Sequence, residues 1–205
     1  MADALSPADV QRLEAAIAHA EKQTSGEIYV VIAPQAGDHL AIPVLWGALT
    51  ALLAGWPLHL LTPLHTSGIL LAQAVVFVVV ALALTHPDLR MRAVPSALAG
   101  AAARRAAHMQ FASYGLHRTE ERTGLLVFVA LAEHRVEIVA DTGIAGAVDP
   151  EIWAGLADKV VVDAGRGALA DGLERAIIDA GDVLARHFPV RPDDRNELPD
   201  RVVLL

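Results

Sequence analysis

Asp141 and Asp149 are the side chains whose type and spacing best suit chemistry. They bracket seven residues, TGIAGAV at 142–148, a loop that could bring both carboxylates onto one cation. Hard cations such as Ca²⁺ or Mg²⁺ prefer several oxygen ligands, so these two define the candidate metal site. Each also has a structural reading. Asp149 stands directly before Pro150, as a helix cap does before a first-turn proline. Asp141 precedes Thr142-Gly143, a turn pattern. Glu27, Glu120, Glu121 and Arg122 are expected at the same end of the sheet as Asp141, as solvated surface. His39 with His86, and His59 with His65, form pairs at the ends of apolar runs, and two ligands alone make a weak metal site.

Other chemistries are excluded. With no cysteine in 205 residues, there is no disulfide scaffold, thiol nucleophile or Cys-ligated zinc or iron-sulfur centre. No G-x-x-x-x-G-K-[ST] occurs, and Gly143-Ile144-Ala145-Gly146 does not complete a dinucleotide-binding fingerprint. The five serines include no G-x-S-x-G and the nine histidines no H-E-x-x-H. A net charge of −8 and a pI near 5.5 leave no electrostatic footprint for nucleic acid.

The elements that must position the aspartates fall into two populations. All 40 charged residues lie outside positions 39–87, and that block accounts for the mean hydropathy of +0.43. Residues 40–61 and 67–85 are each long enough as helices to cross a hydrocarbon core of ~30 Å. The turn Thr62-Pro63-Leu64-His65-Thr66 between them forces two antiparallel spans, so 39–87 is expected to be a transmembrane helical hairpin. Arg90, Arg92, Arg104 and Arg105 follow it and Lys22 precedes it, whereas the turn has no Lys or Arg. The bias places both flanks in the cytoplasm of an inner-membrane protein with two spans, with the soluble domain and both termini cytoplasmic. No signal peptide precedes the hairpin. Gly47, Ala51 and Gly55 recur every four residues, a stripe for packing the hairpin on itself or for a homo-oligomer. Trp56 fits an interfacial anchor, and Arg104 and Arg105 fit either anionic lipid or a solvated helix face.

Around the hairpin lies a divided domain. Residues 1–38 carry a helix opened by Ser6-Pro7-Ala8-Asp9 and a β-branched strand over 27–33. Residues 88–188 carry a helix over about 95–114, an apolar strand over 123–132, a reversal at Glu133-His134 and a strand over 135–141. Helices beginning at Asp149-Pro150 and running over 168–187 complete it. Strands joined through a helix should be parallel and hairpin-joined ones antiparallel. The expected fold class is α/β, a three-layer α/β/α sandwich around a small mixed sheet. The strand directions put Glu133, His134 and Arg135 near the lipid headgroups and Asp141 about 20 Å further into the cytosol. Residues 189–205 read as a poorly ordered tail, its final Val-Val-Leu-Leu fraying rather than docking.

These elements resemble the TPM domain family. The resemblance is carried by Ser25-Gly26-Glu27-Ile28-Tyr29-Val30-Val31-Ile32, by Arg122-Thr123-Gly124-Leu125-Leu126-Val127-Phe128-Val129 and by Arg135 through Ile144. Trp153, Gly172-Leu173 and Ile177 add to it. It implies an α/β/α sandwich and, by analogy with some members, divalent-metal binding and acid-phosphatase-type activity. Many members are exported with a C-terminal anchor, whereas here the hairpin interrupts the domain and the charge bias is cytosolic. The expected function is a membrane-anchored, cytosol-facing interaction or regulatory module that offers its distal acidic loop to a protein partner or cation. The alternative is a metal-assisted acid-phosphatase-type hydrolase using Asp141 and Asp149 as ligands.

Overall fold

The computed structural model describes residues 5–191, 196–197, 199 and 201–205. Cα packing divides the chain into two compact units, Met1–Gly37 with Gly100–Leu205, and Asp38–Ala99.

The first unit is built on a sheet. Glu27–Ala33 (β1) and Gly124–Ala130 (β2) are buried at every residue, as strands covered on both faces must be. They pair in parallel, Glu27 opposite Gly124 through Ala33 opposite Ala130. Arg135–Ala140 (β3) runs antiparallel to β2, with Leu125 opposite Ala140. Both pairings follow the sequence reading. Val202–Leu204 (β4) pairs in parallel with β1 through Val30 and Val202, giving the order β3-β2-β1-β4. This corrects the expectation of a fraying Val-Val-Leu-Leu. The segment finds the open edge of β1, where Leu205 N–H also reaches the Ile32 carbonyl at 3.0 Å. Pro192–Arg195, Leu198 and Asp200 of the expected tail lie outside the described residues.

Helices cover both faces. Pro7–Glu21 (α1) starts from a reciprocal cap: Asp9 N–H donates to Ser6 Oγ, and the Asp9 carboxylate accepts from Ser6 N–H. With Pro150–Gly165 (α7) and Leu169–His187 (α8) it encloses one core, in which Leu13, Ile17, Trp153, Ile177 and Leu184 meet Ile28, Val30, Leu125 and Val127. On the other face Ala103, Ala107 and Phe111, from Ser96–Ser113 (α5), meet Tyr29, Val31, Leu126 and Phe128. The alternation of β1 and β2 side chains between two cores is the period of two expected of a pleated strand. The result is the expected α/β/α sandwich around a mixed sheet.

The second unit holds Ala41–Leu61 (α2) and Thr66–Ala83 (α3), both long and apolar enough to cross a membrane. Pro87–Ala93 (α4) follows within the same unit, which therefore extends beyond residue 87. Gly47, Ala51 and Gly55 lie against α3. A Cβ on Gly47 would stand 3.0 Å from the Phe77 carbonyl oxygen, and Gln73 Nε2 donates to the Ala51 carbonyl at 2.9 Å. Trp46 Nε1 donates to the Ala93 carbonyl at 3.0 Å, fastening α4 to α2.

Candidate functional site

The strand register brings the start of β1, the start of β2 and the end of β3 to one end of the sheet. Asp141 sits there with Glu27 and the 120–122 segment, as expected. Its N–H donates to the Gly124 carbonyl at 2.9 Å, continuing the β2–β3 ladder by one residue.

The seven residues after Asp141 are not an open loop. Thr142–Ala145 forms one helical turn (α6), with Asp141 as its cap. Asp141 Oδ1 accepts from Thr142 N–H at 2.7 Å, and the Asp141 carbonyl accepts from Ala145 N–H at 2.9 Å. Fully buried Ile144 pins the turn to the core. Gly143 N–H donates to the Arg122 carbonyl at 3.1 Å. A Cβ on Gly143 would lie 2.5 Å from the Glu121 carbonyl oxygen and 2.6 Å from that of Arg122, so this approach requires glycine.

Asp141 is 5% exposed, and its Oδ2 is buried with no hydrogen-bond partner among the described residues. One buried carboxylate oxygen is therefore left without a donor, an unfavourable state for such a group. Asp149 is exposed. Its Oδ1 accepts from Glu151 N–H at 2.9 Å, ahead of Pro150 at the first turn of α7. Of the two readings open to Asp149, the cap is the one its side chain adopts.

The neighbouring carboxylates are also engaged. Glu27 is 6% exposed, not the solvated residue expected, and its Oε1 accepts from Glu197 N–H at 3.0 Å. The Glu197 carboxylate accepts from Glu120 N–H at 3.1 and 3.2 Å. Glu121 pairs with Arg191 at 2.5 Å. These contacts tie the segment beyond α8 to the same end of the sheet, which no local signal in the sequence reveals.

Among the described residues no three His, Asp or Glu side chains cluster closely enough to hold a metal ion. That includes the His39–His86 and His59–His65 pairs. Ca²⁺ takes six to eight oxygens, and Asp141 Oδ2 supplies one that is uncommitted. The donor set does not amount to a built metal centre, and no hydrolytic step is derived through one.

At the opposite end of the sheet, sequence reasoning missed a different carboxylate. Glu133, 7% exposed in the β2–β3 turn, accepts from the backbone N–H groups of Ala36 and Gly37. His134 completes the turn at φ 50°, a conformation uncommon for a residue with a Cβ.

The family model for the TPM domain matches residues 79–183, a stretch that takes in β2, β3, α7 and most of α8. No curated protein matches the chain. Among solved structures, the chain is similar to the NMR structure of BA42 protein from the psychrophilic bacterium Bizionia argentinensis sp. nov.. The TM-score is 0.61 at 20% identity, covering 98% of this chain and 95% of that one. That likeness is one of fold.

Proposed function

Because the chain belongs to the TPM domain family, we propose that it works as a membrane-anchored, cytosol-facing interaction or regulatory module. The observation that carries the reading is the apolar surface of the second unit. No residue of α3 is buried, while Trp56 and Leu60 on α2 are 71% and 72% exposed. Lone exposed apolar side chains are ordinary, but two whole helices of them call for lipid or a partner. Positive charge supports the cytosolic side: Arg90 and Arg92 follow the spans, and the Thr62–Thr66 turn has none. A homo-oligomer through Gly47, Ala51 and Gly55 would have to compete with the α3 contact those residues already make.

Insertion is tested by alkaline extraction of membranes carrying the full chain, which should leave it in the pellet. Release into the supernatant would overturn the anchor. Orientation is tested with Thr62→Cys, which an impermeant thiol reagent should label from outside the cell. Labelling that requires permeabilised cells would place the domain on the other side.

Asp141 Oδ2, buried with no hydrogen-bond partner among the described residues, is the observation behind a second reading, a Ca²⁺ or Mg²⁺ ion bound at this end of the sheet with further ligands from outside the side chains clustered there. Titration calorimetry of the full chain in detergent should then show heat that Asp141→Ala removes. Asp149→Ala should weaken binding only if Asp149 leaves its cap to join the ion. The phosphatase alternative further requires cation-dependent hydrolysis of a model phosphomonoester. Binding without turnover would favour the module.

A further inference from the structure

From Leu89 to Thr119, just beyond the end of α3 at Ala83, the chain runs for 31 residues without Asp, Glu or Lys. The same run holds five arginines, Arg90, Arg92, Arg104, Arg105 and Arg118. In a chain of net charge −8 this stretch is positive throughout.

Folding separates charge between the two helical layers of the sandwich. On one side of the sheet, α1, α7 and α8 contain ten Asp and Glu against four Arg and Lys. On the other, α5 contains two arginines and no carboxylate. Its Ala103, Ala106, Ala107 and Phe111 are buried against the sheet, whereas Leu98, Ala101, Arg105, His108, Met109 and Ala112 are exposed. Leu98 and Met109 are 50% and 62% exposed. The outer surface of α5 is therefore cationic and apolar at once, a combination suited to the boundary between headgroups and acyl chains.

Little inside the protein neutralises these arginines. Glu137, opposite Phe128 in the strand register, faces the α5 layer and offsets Arg104 at 3.9 Å. Arg105 makes no ion pair among the described residues, and neither do Arg90 and Arg92 on α4. The Nε of Arg90 is buried with no hydrogen-bond partner among the described residues. The Trp46–Ala93 bond holds α4, and so Arg90 and Arg92, against α2.

We propose that the arginines of α4 and α5 bind the headgroup phosphates of anionic phospholipids, so that the α5 layer of the domain rests on the cytoplasmic leaflet. A group of arginines immediately beyond a span is drawn to the negative surface potential of that leaflet. Leu98 and Met109 enter the boundary while Arg105 stays among the phosphates. Lipid is favoured over an acidic protein because the hairpin tethers α5 beside it, which makes the encounter intramolecular. The same potential repels the layer of α1, α7 and α8, so one face of the sandwich is selected. The inference rests on the cytosolic-anchor reading and goes beyond it: the anchor holds in lipid of any charge, and this contact does not.

The test places the full chain in nanodiscs of phosphatidylcholine alone or mixed with phosphatidylglycerol. Ala112→Cys on α5 and Val162→Cys on α7, both exposed positions, each carry a fluorophore in a chain with no other cysteine. A nitroxide on the lipid headgroup quenches labels that approach the surface. The Ala112→Cys label should be quenched in phosphatidylglycerol discs and several-fold less in neutral discs or in 1 M salt. The Val162→Cys label should escape quenching in both. Arg104→Glu with Arg105→Glu should lower the ratio of bound to free α5 about twenty-fivefold, at about fivefold for each arginine lost, and Lys at both positions should keep it. Equal quenching in the two lipids, quenching that survives the double Glu variant, or stronger quenching at Val162→Cys would overturn the proposal. So would an Ala112→Cys label that is shielded from an aqueous quencher in neutral detergent and uncovered on dilution, the mark of a second copy's acidic layer on α5. A chain that enters neither kind of disc fails at the anchor and takes this contact with it, whereas one that enters both and is quenched alike fails at α5 alone.

Discussion

The Glu133 carboxylate accepts the Ala36 backbone N–H at 3.0 Å to each oxygen. Gly37 donates to the same carboxylate at 3.2 Å, so the β2–β3 turn holds the chain just after it leaves β1. Removing an acceptor shared by two backbone N–H groups leaves both donors to find other partners. Glu133→Ala should lower stability by about 1–3 kcal/mol in urea denaturation, and Glu133→Gln by less, because the amide keeps one acceptor oxygen. An Ala variant with the wild-type midpoint would remove this role.

The cap of α1 carries a pH dependence. The Ser6 hydroxyl, then the Ser6 backbone N–H, hold the Asp9 carboxyl below its ordinary value of 3.8, against a smaller opposing effect of burial. A carboxyl whose value is lowered by folding stabilises fully above the unfolded value and loses that contribution as pH falls through the lowered one. The stability gap between wild type and Asp9→Asn should be constant from neutral pH down to about 3.8 and narrow below it. A gap unchanged far into acid would mean that the charge of Asp9 is not what the cap uses.

Gly143 and Gly146, three residues apart, should respond differently. Gly143→Ala drives a methyl into two backbone carbonyls at 2.5 and 2.6 Å and should cost about 1–3 kcal/mol. A Cβ on Gly146 has its nearest neighbour at 3.6 Å, so Gly146→Ala should leave the thermal midpoint nearly unchanged. An unchanged midpoint in Gly143→Ala would mean that the close approach to the two carbonyls can relax.

A Cβ on Gly55 would lie 2.5 Å from Gln73 Nε2. Because the chain has no cysteine, Gly55→Cys combined with Gln73→Cys gives a clean pair for a short bifunctional thiol reagent. Cross-linking in native membranes should keep the monomer mass and change its gel mobility. A dimer as the main product would move this stripe to an interface between copies.

Legibility followed the range of the interactions. The β1 and β2 strands were readable because burial on both faces demands long apolar runs, and the Ser6 and Asp149 caps because their chemistry is local. β4 was not: three apolar residues after a proline-rich stretch carry no periodicity, and only the open edge of β1 makes Val202–Leu204 a strand. The stretch Thr142–Val148 looked like a loop because two glycines weaken any helical signal, while Ile144 and the Arg122 carbonyl that hold α6 are distant in space or sequence. At the candidate site the sequence offered Asp141 as a turn residue or a metal ligand. The burial of its Oδ2 away from any hydrogen-bond partner among the described residues and the Glu27–Glu197 contact are products of tertiary packing.

The position of β1 has a consequence for biosynthesis. The ribosome releases Glu27–Ala33 before either strand that flanks it, since β2 begins at Gly124 and β4 at Val202. The whole unit Asp38–Ala99 is made in between. A strand buried at every residue in the finished sheet must therefore remain unpaired while two apolar helices find their environment, and its closing contacts are among the most distant in the chain. For that interval the nascent protein carries an unpaired apolar strand beside its two most apolar helices. Anything that delays the helices would thus register first as failed assembly of the sheet.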